Sequence, residues 1–122
     1  MVEFKQKEKY DINDLLEIMR LLRAPGGCPW DAQQTHMSIR KNLIEETYEV
    51  IEAIDKDDKE LMTEELGDLL MQVVFHAQME QEAGNFDFGD VTDGVCKKLI
   101  ERHPHVFGEV EVSGVGDVLN NW

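Results

Sequence analysis

Glu45-Glu46-Thr47-Tyr48-Glu49 and Glu64-Glu65-Leu66-Gly67-Asp68 decide how this chain reads. Each stretch holds two adjacent acids and a third acid three residues after the second. A helical residue advances by about 100°. Glu46 and Glu49 therefore project from one side, one turn apart, and Glu65 and Asp68 do the same on the next helix. Two antiparallel helices at ordinary packing distance then turn four carboxylates toward each other. So many anions stay ionised at close range only with cations among them. Hard oxygen donors favour Mg²⁺ or Mn²⁺ over zinc. A carboxylate-bridged di-iron bundle would want Glu-x-x-His pairs, which neither stretch contains.

Acids on helices are mostly solvated, and for Glu45, Glu52 and Glu64 that is the better reading. The second helix is different. After Glu65 it runs Leu66, Leu69, Leu70, Met71, Val73, Val74, Phe75, Ala77, Met79, apolar nearly all round, which implies burial on most sides. Its polar exceptions are Glu65, Asp68, Gln72 and His76, all within about 80° on a helical wheel. A polar stripe on a buried helix is costly unless something pairs with it. The residues alone leave metal binding and a paired structural stripe evenly open. His76 stands at the edge, as a fifth ligand or, more ordinarily, as a hydrogen-bonded histidine.

The surrounding composition sets limits. The chain has 122 residues, enough for one domain, and 42% are hydrophobic, enough for a packed core. Acids outnumber bases 26 to 12, a net charge of −14, so the chain repels nucleic-acid phosphates, and DNA or RNA is not an expected partner. No apolar run reaches the roughly 20 residues of a membrane span. The N-terminus has no apolar signal core. Cys28 and Cys96 form no CxxC and read as reduced thiols of a cytoplasmic protein.

Punctuation predicts an all-α chain of four main helices and a partial fifth. Asp11 to Arg23 carries a helical apolar stripe, ended by Pro25-Gly26-Gly27. Asp31 and Gln34 resemble a capping box before a short turn of helix. Ser38 is the expected cap of a helix over residues 39–56. Another runs from Lys59 to Ala83, with Gly84-Asn85 as its stop. Asp90 is the expected cap of a helix to His103. The segment from His105 to Gly116 reads as loop, and Asp117 to Trp122 as the start of a fifth helix. Val110 to Val112 alternates but has no partner strand. Among the scarce bases, Arg40 and Lys41 precede the first acidic motif, and Lys98 and Arg102 share one helical face. The latter pair suits phosphates, although ordinary i,i+4 pairing explains the spacing as well.

Five segments, in order, resemble the MazG family: Gly27-Cys28-Pro29-Trp30-Asp31, Gln34-Thr35-His36, Glu45 to Glu49, Glu65 to Asp68, and Arg102-His103-Pro104-His105-Val106-Phe107. The resemblance spans about Leu15 to Trp122. It implies an all-α nucleoside triphosphate pyrophosphohydrolase that uses Mg²⁺ (Mn²⁺ as a substitute), releases a monophosphate and pyrophosphate, and associates as a homodimer. The family's metal ligands fall on Glu46, Glu49, Glu65 and Asp68, with Glu45 behind them. Glu46 or Glu49 would activate the water that attacks the α-phosphate. Lys98 and Arg102 match phosphate-contacting bases, and Trp122 matches an aromatic residue beside the nucleotide. The family's lysine one turn later has no counterpart here. The CPWD and HPHVF segments are typical of the first of two tandem domains, and disfavour the related phosphoribosyl-ATP pyrophosphohydrolases. The expectation is therefore one MazG-type domain over residues 1–122, which leaves open whether the chain is a fragment of a longer tandem protein. The alternative is a catalytically weak dimerisation or regulatory domain that keeps the metal motif.

Overall fold

A computed structural model describes residues 2–109 together with Gly114 and Gly116. The described residues are helical with no strand. They form α1 (Ile12–Arg23), α2 (Pro29–Gln33), α3 (His36–Asp55), α4 (Lys59–Glu82), α5 (Phe88–Arg102) and α6 (Pro104–Phe107). The chain divides into two compact units, Met1–Phe88 and Gly89–Trp122.

In the first unit α1 begins at a reciprocal box. Asp14 N–H donates to Asp11 Oδ1 (3.1 Å) and Asp11 N–H to Asp14 Oδ2 (2.8 Å). Lys7 donates to Asp14 Oδ1 at 2.7 Å, which lets that carboxylate be buried. This bond, foremost, holds the Asp14 carboxyl below its usual range.

Pro29 occupies the first position of α2, where its missing N–H costs nothing. That choice displaces the expected capping box: Asp31 lies inside the helix, Gln34 closes it, and Cys28 is the N-cap with no side-chain bond. Gln34 Nε2 instead donates to the Trp30 carbonyl at 2.8 Å. The cap of α3 also shifts. Thr35 has the extended backbone of an N-cap, its Oγ1 accepts from Ser38 N–H at 3.2 Å, and Ser38 Oγ accepts from Thr35 N–H at 2.8 Å. Ser38 is thus the returning member of the box and not its first.

α3 and α4 pack along their length as a hairpin with a three-residue connection. Asp57 adopts φ 51° there, a left-handed geometry that aspartate tolerates better than most side chains. Asp57 N–H donates to Ile54 O (3.0 Å) and Asp58 N–H to Ala53 O (3.2 Å), a Schellman closure of α3. Asp58 then caps α4 through Leu61 N–H at 3.1 Å. The far end of α4 closes the same way, with Gly84 at φ 78° and Asn85 N–H donating to Glu80 O at 3.0 Å. The core is Met19, Ile39, Val74, Phe75 and Met79, with Leu15, Leu16 and Phe88 against it. Val50 and the fully covered Ala53 seal the hairpin nearer its turn.

α5 begins at Phe88, the last residue of the first unit, and continues into the second, so Asp90 lies inside its first turn, where a negative charge suits the helix dipole. The stretch expected to be loop contains α6, started by Pro104 at its first position. The expected alternation at Val110 to Val112 and the partial helix from Asp117 to Trp122 lie outside the described residues.

Gly27 allows a close turn. A Cβ added there would lie 2.1 Å from Leu21 O and 2.6 Å from Leu22 O. At Gly84 a Cβ would meet nothing within 4 Å and face only the positive φ. Gly27→Ala should destabilise by about 1–3 kcal/mol through overpacking, with backbone movement. Gly84→Ala should cost only about 1–2 kcal/mol. Urea unfolding of both variants checks the order.

Candidate metal centre

The hairpin turn sets the site. Glu49 and Glu65 are equidistant along the chain from Asp57, and so are Glu46 and Asp68. Closing α3 onto α4 therefore brings both pairs level. One carboxylate oxygen from each of Glu46, Glu49, Glu65 and Asp68 lies within 4.8 Å of the others. The four positions span every exposure: Glu65 is buried at 9%, Glu46 and Asp68 are half-buried, and Glu49 is exposed. The cluster has one closed side and one open side.

Its electrostatics are those of crowded anions. Glu65 is pushed up to about 7, first by a hydrogen bond with Glu49, then by burial and by the charges of Glu49, Asp68 and Glu46. Glu46 is raised by burial and then by Glu49, Asp68 and Glu45. Glu46 Oε2 and Glu65 Oε2 are buried with no hydrogen-bond partner. Unpaired buried carboxylate oxygens are costly, and a hard divalent cation satisfies such donors. The donor set thus fits Mg²⁺ or Mn²⁺, and these four residues can hold it.

The other expected residues fall as follows. Glu45 is exposed on α3 beside Glu46. Lys98 and Arg102 lie one turn apart on α5, in the second unit. Trp122 lies outside the described residues. His76 does not join the acidic cluster: its ring meets His36, with Nδ1 atoms 2.6 Å apart. The sequence reading missed this pair, although Thr35 as the cap of α3 would have put His36 in its first turn. Arg23 was missed as well. Its side chain is 8% exposed. It donates to Asp31 O (2.6 Å) and Gln34 O (3.1 Å), and to the Glu82 carboxylate from Nε and Nη2 at 2.8 and 3.0 Å. It also lies 5.5 Å from the Phe75 ring centre. One guanidinium so ties α1, α2 and the approach to α3 onto the end of α4.

Among the described residues, no helix is long and apolar enough to cross a membrane. Residues 34–107 match the family model described as MazG nucleotide pyrophosphohydrolase domain. The chain is 56% identical over 96 residues to the nucleoside triphosphate pyrophosphohydrolase/pyrophosphatase MazG of Thermotoga maritima, covering 79% of this chain and 38% of that protein. It is 50% identical over 112 residues to the nucleoside triphosphate pyrophosphohydrolase of Escherichia coli K12, covering 91% and 43%. It is also 49% identical over 113 residues to YabN of Bacillus subtilis, covering 93% and 23%. The chain spans less than half the length of these relatives. A crystal structure of a mazG-related protein from Thermotoga maritima superposes with a TM-score of 0.73 at 29% identity, covering 91% of this chain and 95% of that one.

A Glu65 pKa of about 7 against 4.5 for the free side chain fixes a sign. The folded chain binds more protons than the unfolded chain across that window, so without metal its stability falls as pH rises from about 4.5 to about 7. Glu49→Gln removes one charge of the cluster. In chelator, that variant should be more stable than the parent at pH 8, and the difference should shrink at pH 5. Thermal unfolding at the two pH values checks this, and added Mg²⁺ should stabilise the parent more than the variant.

Proposed function

Since the chain belongs to the MazG nucleotide pyrophosphohydrolase domain family, we propose that residues 1–122 form one domain that hydrolyses nucleoside triphosphates to a monophosphate and pyrophosphate. The observation that carries this reading is the convergence of Glu46, Glu49, Glu65 and Asp68 within 4.8 Å. These four would hold Mg²⁺, with Mn²⁺ as a substitute. When bound, the ion supplies neutralising charge for the triphosphate and a fixed orientation for the α-phosphate.

The chain's own groups do the rest. Glu46 or Glu49 accepts a proton from the attacking water. Glu45 adds negative charge behind the ligands. Lys98 and Arg102 hold the outer phosphates through charge-assisted bonds, and Trp122 stands beside the nucleoside. The net charge of −14 opposes binding to DNA or RNA. The free thiols Cys28 and Cys96 accord with a cytoplasmic setting.

A panel of nucleoside triphosphates with Mg²⁺, scored separately for phosphate and pyrophosphate release, tests the activity. Pyrophosphate should appear, and Glu49→Gln or Asp68→Asn should abolish its release without unfolding the domain. Lys98→Ala and Arg102→Ala should raise KM with little change in metal affinity. Each lost charge-assisted contact is worth about 1.5–3 kcal/mol, on the order of tenfold or more in binding. Metal binding without turnover across the panel would favour the catalytically weak regulatory domain. That outcome is compatible with a chain covering only part of its relatives.

We also propose that the domain works as a homodimer. Ile44, Tyr48, Ile51 and Ile54 on α3 and Leu66, Leu70, Met71 and Val73 on α4 are exposed. They leave apolar side chains uncovered on both helices of the hairpin that bears the acids, and exposed apolar surface marks an association site. Light scattering at micromolar concentration should give twice the chain mass, and a monomer there would overturn the assembly.

A further inference from the structure

The first turn of α3 meets the end of α4 through three titratable side chains. His36 Nδ1 lies 2.6 Å from His76 Nδ1, and His36 Nε2 lies 2.6 Å from Glu80 Oε1. Asn85 donates to the other Glu80 oxygen at 2.8 Å. The imidazole planes are 6° apart and their centres 4.9 Å apart. With the nitrogens so much closer than the centres, the rings meet edge to edge in a shared plane. The contact is an N–H···N hydrogen bond and not a face-to-face stack.

Such a bond holds one proton. Glu80 needs a donor, so His36 carries a proton on Nε2. With the pair neutral, His76 Nδ1–H donates to the bare Nδ1 of His36. With one added proton, cationic His36 donates to Glu80 and to His76, whose own proton then sits on Nε2. Both arrangements keep the chain of bonds. A second added proton sets N–H against N–H at the same contact, beside another positive charge.

We infer that Glu80, His36 and His76 form a proton-operated latch, which ties the start of α3 to the end of α4 while the pair carries at most one positive charge and releases it when both rings are protonated. The neighbouring charges leave the latch to itself. Arg23 of α1 lines the same 240 Å³ cavity as His36 and Glu80, but its fork is held by Glu82 and two carbonyls. Asp31 is the charged residue of α2 and meets Arg23 through its carbonyl. On α3, Arg40 is exposed one turn beyond His36. On α4, His76 has Gln72 and Glu80 one turn to either side, and Gln72 is uncharged. His76 Nε2 is buried without a partner. Burial first, and then the His36 charge, hold His76 below the usual histidine range. Neutral His76 therefore contributes stability at higher pH that is lost as pH falls.

Side-chain NMR of the whole chain tests this, with both histidine rings followed from pH 8 to pH 4. The rings should titrate as a coupled pair, in two steps. The backbone amides of Thr35, Ser38 and Ile39 should move with the second step. In His36→Gln, His76 should titrate in one step at higher pH than in the parent. In Glu80→Gln, the first step should move to lower pH. Independent titration of the two rings at a common pH would overturn the latch. So would α3 amides indifferent to the second step, or a His76 unmoved by His36→Gln. The parent titration decides alone if a variant fails to fold.

Discussion

Four carboxylates held within 4.8 Å on one hairpin repel one another, and much of the first unit answers that repulsion. Left to itself it would splay α3 from α4. Apolar contacts hold the helices together on either side of the acids. Val50 and Ala53 lie toward the turn, and Ile39, Val74, Phe75 and Met79 lie toward the open end. The Schellman closure at Asp57 fixes where the two helices start to run side by side, and so fixes the level of the acids. Part of the repulsion is relieved by protons. Glu65 keeps its proton to about 7 because Glu49 shares in it. A divalent cation would take over that role and leave the carboxylates ionised.

The placement of the bases is the complement of this arrangement. Lys7 serves Asp14, Arg20 serves Glu17, Arg23 serves Glu82 and Lys56 serves Glu52. None of these pairs engages the acidic cluster. A neighbouring lysine or arginine would quiet the four acids cheaply and would compete with a metal for them. Arg23 instead spends its whole fork at the opposite end of α4, where it fixes the loop leading to His36. The Gly27-Cys28-Pro29-Trp30-Asp31 segment thereby acquires a structural reason. Gly27 lets the chain pass close to the end of α1, Pro29 starts α2, and Asp31 offers its carbonyl to Arg23.

The helical class and the convergence of Glu46, Glu49, Glu65 and Asp68 were legible in the sequence, because both depend on periodicity and on one short connection. The caps were less so. Ser38 and Thr35 are both competent cappers, and only the extended backbone at Thr35 settles which one begins α3. Pro29 outranked Asp31 at α2 because a ring without an N–H fits the first helical position wherever it falls. The glycines of the tail favour loop, yet Pro104 starts a turn of helix at its head. The His36–His76 contact was illegible for another reason. It joins residues 40 apart, and its partner position is known only once the hairpin register is known. Glu80 reads in sequence as one more solvated acid.

α4 shows why these features belong together. Its stripe of Glu65, Asp68, Gln72, His76 and Glu80 recurs turn by turn, and the members meet different fates. Glu65 and Asp68 join the acidic cluster, while His76 and Glu80 are tied up by His36. Gln72, 4% exposed, keeps an unpartnered Oε1 between them. An ordinary surface helix turns such a stripe outward and buries its apolar side. Here the polar stripe faces α3 and Val74, Phe75 and Met79 enter the core, while Leu66, Leu70, Met71 and Val73 stay exposed. A helix can carry that arrangement only if its inner polar groups find partners and its exposed apolar side chains are covered. The proposed metal site meets the first demand at the turn end, and the histidine pair meets it at the other. The proposed second copy meets the other demand. The sequence pattern that suits α4 to hold a cation is, on this argument, the same pattern that makes it a poor surface for an isolated chain.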